Sequence, residues 1–165
     1  MVTSVFSMPT YSSQYSQDKA LANLVEGHLC WAWSQVRTYA TADGDVDQYE
    51  FNLFTLPPGR LIILPRLSHI NTTQFEATAD LHLGYRSYTD ENGLTVAEDD
   101  NAFMDNVDVG GGALSGVWSA ITGVVTAEPY EIQTVNGLTL FVMIDTADIE
   151  NADTLSVSCA YVRMA

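Results

Sequence analysis

The three histidines are the residues best suited to metal chemistry, because imidazole is a common ligand of transition metals. His28, His69 and His82 lie in three different predicted strands, so a three-histidine site on a β-scaffold has to be considered. The metal sites of cupin jelly rolls combine a His-x-His pair with a following Glu, whereas no two histidines here are closer than His69 and His82. We therefore interpret all three as ordinary strand residues and predict neither a metal nor any other cofactor.

Two oxygen-rich turns, residues 43–47 and 90–93, carry the side chains that Ca²⁺ prefers. Neither turn has the Gly at the sixth position and the Glu at the twelfth that define an EF-hand loop. Solvated turn acids are the favoured interpretation, with a weak calcium site as the alternative. The residues concerned are Asp43, Asp45, Asp47, Asp90, Glu91, Asn92 and Gly93.

No stretch of the chain carries a catalytic motif. The glycine-rich segment Gly110–Gly116 lacks the Lys-Ser/Thr ending of a phosphate loop, and neither a Gly-x-Ser-x-Gly elbow nor a His-Glu-x-x-His zinc helix occurs. We assign no catalytic residue and predict that the protein is not an enzyme. The aromatic residues leave glycan binding open as an alternative, with stacking platforms supplied by Trp31, Trp33, Trp118 and the eight tyrosines.

The charge balance excludes several classes of partner. The 165 residues include 6 Lys and Arg against 21 Asp and Glu, which gives a formal net charge of -15. Scattered single basic residues cannot neutralise a phosphate backbone, so we predict no nucleic-acid binding. The longest apolar runs are far too short to cross a bilayer, and the first ten residues have no basic region or sustained apolar stretch of a secretory signal. We therefore expect no membrane partner and synthesis in the cytoplasm.

Strand patterns dominate the chain after an N-terminal arm. Residues 1–20 show no periodicity, whereas Phe75 to Tyr85 alternates cleanly between apolar and polar side chains. Residues 88–112 form an acidic surface excursion in which Glu98 to Asn106 is expected to be a short helix, and Asn136-Gly137 is a strong hairpin signal. The other predicted strands are 24–39, 48–55, 60–70 with an interruption at Pro65, 117–126, 130–135, 138–144 and 155–161.

These patterns predict an all-β fold, a single-domain β-sandwich of the jelly-roll type. The domain spans residues 21–165 and carries residues 1–20 as an extended arm, and the 47% hydrophobic content is enough for a core. Cys30 and Cys159 fit no zinc or redox spacing, so we interpret them as buried thiols, with an interstrand disulfide as the alternative.

A set of motifs in the centre of the chain resembles small acidic structural proteins of tailed bacteriophages. The motifs run from a strand that ends in Gly84-Tyr-Arg86, through Tyr88-Thr-Asp90 and Val96-Ala-Glu-Asp99, to Asp108-Val109, and the resemblance covers about residues 15 to 163. Proteins of this family are encoded near the major capsid gene and are thought to decorate or cement the head. The family supplies no catalytic residues.

The resemblance implies a virion structural protein that binds the major capsid protein on the outer capsid surface. We expect a homotrimer, because closed cyclic symmetry is common among soluble oligomers and makes weak contacts additive. The arm and the acidic excursion are the expected contacts, so the candidate residues are Tyr11, Tyr15, Asp99, Asp100 and Phe103. The alternative function is a β-sandwich module that binds glycans on the virion surface.

Overall fold

The computed structural model describes residues 29–34, 37–38, 48–145 and 153–164 of the chain. Within these ranges the regular structure consists of β-strands and one turn of 3-10 helix, so the all-β prediction is confirmed. The strands are β1 (Leu29–Trp33), β2 (Arg37–Thr38), β3 (Gln48–Leu56), β4 (Gly59–Ile63), β5 (His69–Thr72), β6 (Asp80–Tyr85), β7 (Tyr88–Thr89), β8 (Thr95–Val96), β9 (Asp99–Asp108), β10 (Ser115–Val117), β11 (Tyr130–Thr134), β12 (Leu138–Asp145) and β13 (Thr154–Met164).

The last strand organises the larger, seven-stranded sheet. One edge of β13 pairs with β1 and β2, and the other edge pairs with β4 and β5, all antiparallel. The sheet continues from β4 to β11 and from β5 to β10. The predicted strand 60–70 is divided at Pro65 into β4 and β5, as expected for a residue that cannot donate to a ladder.

The smaller sheet has four antiparallel strands in the order β3-β12-β6-β9, and β7 and β8 form a separate two-stranded hairpin. The alternation predicted for residues 48–55 is confirmed over Glu50 to Leu53, where Phe51 and Leu53 are buried and Glu50 and Asn52 exposed. It is wrong beyond that point, because a register shift against β12 leaves Phe54 buried and Thr55 exposed. The segment Phe75 to Tyr85 was predicted as one strand, but only its second half is β6. Residues 75–79 turn instead, and the N–H of Ala79 donates to the carbonyl of Glu76.

One apolar cluster fills the space between the two sheets and contains side chains from both. The predicted inward set of β13 is confirmed, because Leu155, Val157, Cys159 and Tyr161 are at most 5% exposed. Cys30 and Cys159 are both free buried thiols, which confirms the thiol interpretation over the disulfide. The two cysteines lie on adjacent strands but are offset in register, since Cys159 is paired with Ala32.

The expected helix over residues 98–106 is wrong, because this segment is the ten-residue strand β9. Its pairing with β6 contains two register irregularities, so the inward positions do not alternate: Ala102, Phe103 and Met104 are consecutive and buried. Asn106 has a positive φ of 50°, which changes the direction of the backbone before Val107. These bulges removed the period-2 signal on which the sequence interpretation relied.

Two further sequence expectations are corrected. The segment 117–126 is not a strand: β10 ends at Val117, and Trp118–Ala120 forms the 3-10 turn with Trp118 fully buried. Asn136-Gly137 is a tight turn with Gly137 at φ 90°, but it does not close a hairpin. The strands on either side of it belong to different sheets, since β11 pairs with β4 whereas β12 pairs with β3 and β6.

No helix among the described residues is long and apolar enough to cross a bilayer. The strand orders establish an all-β architecture of antiparallel sheets, and they do not by themselves define a jelly roll.

Candidate interaction surfaces

The outer side of the seven-stranded sheet carries a strip of apolar side chains. Leu29 of β1, Val162 of β13 and Ile62 of β4 are partners in register, so they lie side by side across three strands. Trp31 is next to Leu29 on the same face of β1 and lies opposite Ala160. Leu29 is 46% exposed, and Trp31, Ile62 and Val162 are part-exposed. We call Leu29, Trp31, Ile62 and Val162 the apolar strip.

The loop between β4 and β5 extends the apolar strip at one side. The N–H of Leu64 donates to the carbonyl of Ala160, and Ser68 Oγ accepts from the N–H of Ala160, so the loop is fixed along β13. Leu67 is 41% exposed. An apolar groove lies here, lined by Leu64, Pro65, Arg66, Leu67, Ala127 and Pro129.

The strands that form this outer face carry few charged side chains. Among the described residues that the strand register places on the outer face, Glu131 is the one carboxylate and Arg60 the one arginine. These two side chains form an ion pair with an N···O distance of 2.5 Å. The hydrogen bond and attraction between them lower the pKa of Glu131 and raise that of Arg60. Beside the groove, Arg66 pairs with Glu128 at 2.6 Å.

The outer side of the four-stranded sheet is, in contrast, strongly acidic. Asp145 of β12, Asp80 of β6 and Asp108 of β9 are partners in register and form a row of three carboxylates across neighbouring strands. Asp105 lies close by, with its Oδ1 3.1 Å from Nδ1 of His82. We call this side, with Asp80, Asp105, Asp108 and Asp145, the acidic face.

His82 is buried beneath the acidic face, between two carboxylates. Its Nε2 is 3.8 Å from Asp145 Oδ2, on the opposite side of the ring from Asp105. Among the described residues neither ring nitrogen has a hydrogen bond of good geometry, so the two carboxylates lie close to the ring without a directed bond. The described part of the chain contains no cluster of three or more His, Cys, Asp or Glu residues that could hold a metal ion. His69 is exposed on the other sheet, and His28 lies outside the described residues.

The acids of the turn at 90–93 hold the turn itself together. Asp90 Oδ1 accepts hydrogen bonds from the backbone N–H groups of Asn92 and Leu94, at 2.9 and 2.8 Å. Gly93 follows with φ 79°, as such a turn requires. This Asx-type capping gives the carboxylate a structural role. The other oxygen-rich turn, residues 43–47, lies outside the described residues.

The aromatic residues of the central segment form a cluster in the core. Phe103 is 5.3 Å from Tyr130 and 5.6 Å from Trp118 between ring centroids, and Tyr85 is 6.3 Å from Phe103. Phe103 and Trp118 are fully buried. Trp118 is therefore unavailable as a glycan-stacking platform, and its indole N–H finds no hydrogen-bond partner in the part of the chain that the structure describes.

The structure separates the predicted contact residues. Asp99 and Asp100 are part-exposed at the start of β9, so they remain on the surface. Phe103, predicted as a contact, is 0% exposed and holds the two sheets together instead, so we do not carry its contact role forward. Tyr11 and Tyr15 lie outside the described residues. The apolar strip was missed, although Leu61-Ile62-Ile63 signalled a strand that is apolar on both faces.

No protein-family model and no curated protein sequence matches the chain. A solved structure does share its fold: a chain in the structure described as "Cyanophage Pam1 capsid asymmetric unit" superposes with a TM-score of 0.52. The two chains are 15% identical, and the match covers 85% of this chain and 87% of the other. The similarity therefore extends over nearly the whole of both chains and establishes a common all-β fold.

Proposed function

We propose that the chain is a virion structural protein, a decoration or cement protein that binds the outer surface of a tailed-phage capsid and stabilises it. The observation that carries the proposal is the fold shared with a chain of a cyanophage capsid asymmetric unit over 85% and 87% of the two lengths. Fold alone does not define function. The sequence resemblance to phage decoration proteins points independently to the same class of protein.

The distribution of charge supports a structural role on a DNA-filled particle. A net charge of -15 keeps the protein soluble and repels packaged DNA. The acidic face places four of the 21 carboxylates on one sheet, whereas the described outer face of the other sheet carries the ion pair of Arg60 and Glu131. We expect the major capsid protein as partner, a homotrimer as the oligomeric state and no catalytic activity.

The domain organisation belongs to the same proposal. Residues 21–165 form a β-sandwich domain of the jelly-roll type, and residues 1–20 form an arm that reaches the capsid. Tyr11 and Tyr15 in the arm and Asp99 and Asp100 on β9 are the proposed capsid contacts. An arm that becomes ordered when it binds can extend over several capsid subunits.

Co-sedimentation with phage heads tests this function. Purified protein is mixed with empty and DNA-filled heads of the phage that encodes it, and bound protein is measured against concentration. We expect saturable binding to both forms. A variant with Tyr11→Ala and Tyr15→Ala is compared with a matched variant, Ser12→Ala and Ser13→Ala, in the same segment.

The tyrosine variant is expected to bind at least tenfold more weakly and the serine variant like wild type. Asp99→Asn with Asp100→Asn tests the second contact, and Glu76→Gln is its control, because Glu76 is an exposed acid outside residues 88–112. Failure of the wild-type chain to bind either form of head would overturn the proposed function.

A further inference from the structure

We propose that the apolar strip is the surface through which one copy of the chain docks on a second copy. The inference deepens the proposed function and rests on the part of it that makes the protein an oligomer. It assigns the contact between subunits to the outer side of the seven-stranded sheet. The strip consists of Leu29, Trp31, Ile62 and Val162.

The apolar strip is continuous, unlike scattered surface apolar residues. Single exposed apolar side chains are normal, whereas a contiguous patch marks an interaction surface. Leu29, Val162 and Ile62 are direct neighbours on three adjacent strands, which are spaced about 4.8 Å apart. Leu64 and the groove around Leu67 lengthen the patch beyond the strands. On the described outer side of the four-stranded sheet the apolar side chains of Phe141 and Met143 are buried, and Asp145, Asp80 and Asp108 occupy a row across three strands.

Charge identifies the occupant as a second copy. Two copies each carry a net charge of -15, so they repel one another unless they meet through a neutral surface. The apolar strip is such a surface, because Arg60 and Glu131 at its margin cancel each other. A basic partner would instead be drawn to the acidic face, where Asp145, Asp80 and Asp108 are aligned.

The margin of the strip also suits a contact between copies. The strands of each copy present Arg60 and Glu131 there, which are 45% and 52% exposed, and the carboxylate of Glu91 also acts on Arg60. A second copy therefore meets both signs of charge around an apolar centre, the usual arrangement of an interface with a polar rim.

Sedimentation equilibrium of the full chain tests the proposal. We expect reversible, concentration-dependent association that strengthens between 50 and 500 mM NaCl, because salt screens the repulsion between acidic copies on a length of about 10 Å at 0.1 M. Ile62→Glu and Val162→Glu each place a carboxylate in the strip and are expected to raise the dissociation constant at least tenfold. Leu29→Ser is a milder variant. Because Leu29 is 46% exposed, this change should weaken association without unfolding the chain.

Matched controls use apolar residues on other surfaces. Leu94 and Val135 are 65% and 56% exposed, so Leu94→Glu and Val135→Glu add the same charge at comparable exposure. Both are expected to associate like wild type. Circular dichroism establishes that every variant is folded before its association is measured.

Several outcomes would overturn the docking surface. They are a wild-type chain that stays monomeric at all concentrations, an equal loss in strip and control variants, and association that depends on Tyr11 and Tyr15 but not on Ile62. Head binding by the same variants is measured in parallel. If the wild-type chain binds heads while the docking prediction fails, the proposed function stands and only the assignment of the strip falls.

Discussion

Arg86 joins the end of β6 to three other parts of the molecule, and its removal should destabilise the fold measurably. Its guanidinium lies 2.6 Å from Glu50 Oε2, 2.9 Å from Glu98 Oε2 and 2.8 Å from Asn52 Oδ1. The central guanidinium carbon is 3.8 Å from the ring centroid of Phe141, which is 0% exposed. Burial lowers the pKa of Arg86, but hydrogen bonds to Glu98 and Glu50 offset this and leave it raised, so the side chain stays charged.

The expected loss follows from these contacts. The side chains of Glu50 and Glu98 are 43% and 39% exposed, so each ion pair contributes at most about 0.5–1 kcal/mol. The stack on Phe141 adds about 0.5–1 kcal/mol and the hydrogen bond to Asn52 about 0.5–1 kcal/mol. Arg86→Ala should therefore lower the free energy of unfolding by about 2–4 kcal/mol, which corresponds to a Tm lower by about 4–16 °C for a chain of this size.

Urea unfolding, followed by tryptophan fluorescence, measures the difference. Arg66→Ala is the matched control. Arg66 pairs with Glu128, and the two side chains are 67% and 71% exposed. The loss of this exposed ion pair should lower the free energy of unfolding by less than about 0.5 kcal/mol. In 1 M NaCl the Arg86→Ala difference should shrink but persist, since the stack on Phe141 is not screened. An Arg86→Ala loss no larger than that of Arg66→Ala would refute the reasoning.

Three further predictions follow from burial and close packing. Gly84→Ala should prevent or severely weaken folding, because its Cβ would lie 1.9 Å from the carbonyl oxygen of Asp99, whereas Gly112→Ala has open space and should unfold like wild type in the same urea titration. Burial raises the pKa of the Cys159 thiol to about 12, so a thiol reagent at pH 8 should modify it only after unfolding; rapid modification of the folded chain would contradict this. Burial also raises the pKa of Tyr85. Its contribution to stability is therefore fully present below about pH 10, the ordinary pKa of tyrosine, and is lost as the pH rises above that value. Tyr85→Phe should flatten this decline in urea titrations at pH 8 to 11.

Sequence patterns predicted the regular strands well because their side chains alternate. In β13 the inward residues Leu155, Val157, Cys159 and Tyr161 are buried as expected, and so are Phe51 and Leu53 in the regular part of β3. The two register irregularities in β9 explain the principal failure. They bring Ala102, Phe103 and Met104 to consecutive buried positions, so the segment lacks the alternation by which a strand is recognised.

Pairing between distant strands limited the rest of the prediction. Asn136-Gly137 has the composition of a hairpin turn, yet β11 pairs with β4 and β12 pairs with β3, so the two strands enter different sheets. The apolar strip escaped notice for the same reason. Leu29, Ile62 and Val162 are far apart in sequence, and only their common register on β13 and its neighbours places them side by side.

The row of aspartates on the acidic face shows that the two sheets meet different demands. Asp145, Asp80 and Asp108 lie opposite one another in register, an arrangement that costs stability because like charges on neighbouring strands repel. Asp108 recovers part of this cost, since its Oδ1 accepts a hydrogen bond from the N–H of Gly111 at 2.6 Å. Packing alone would not favour such a row, because neutral Asn would fill the same positions without repulsion. The row therefore keeps the outer side of the four-stranded sheet negative and hydrated at a cost in stability.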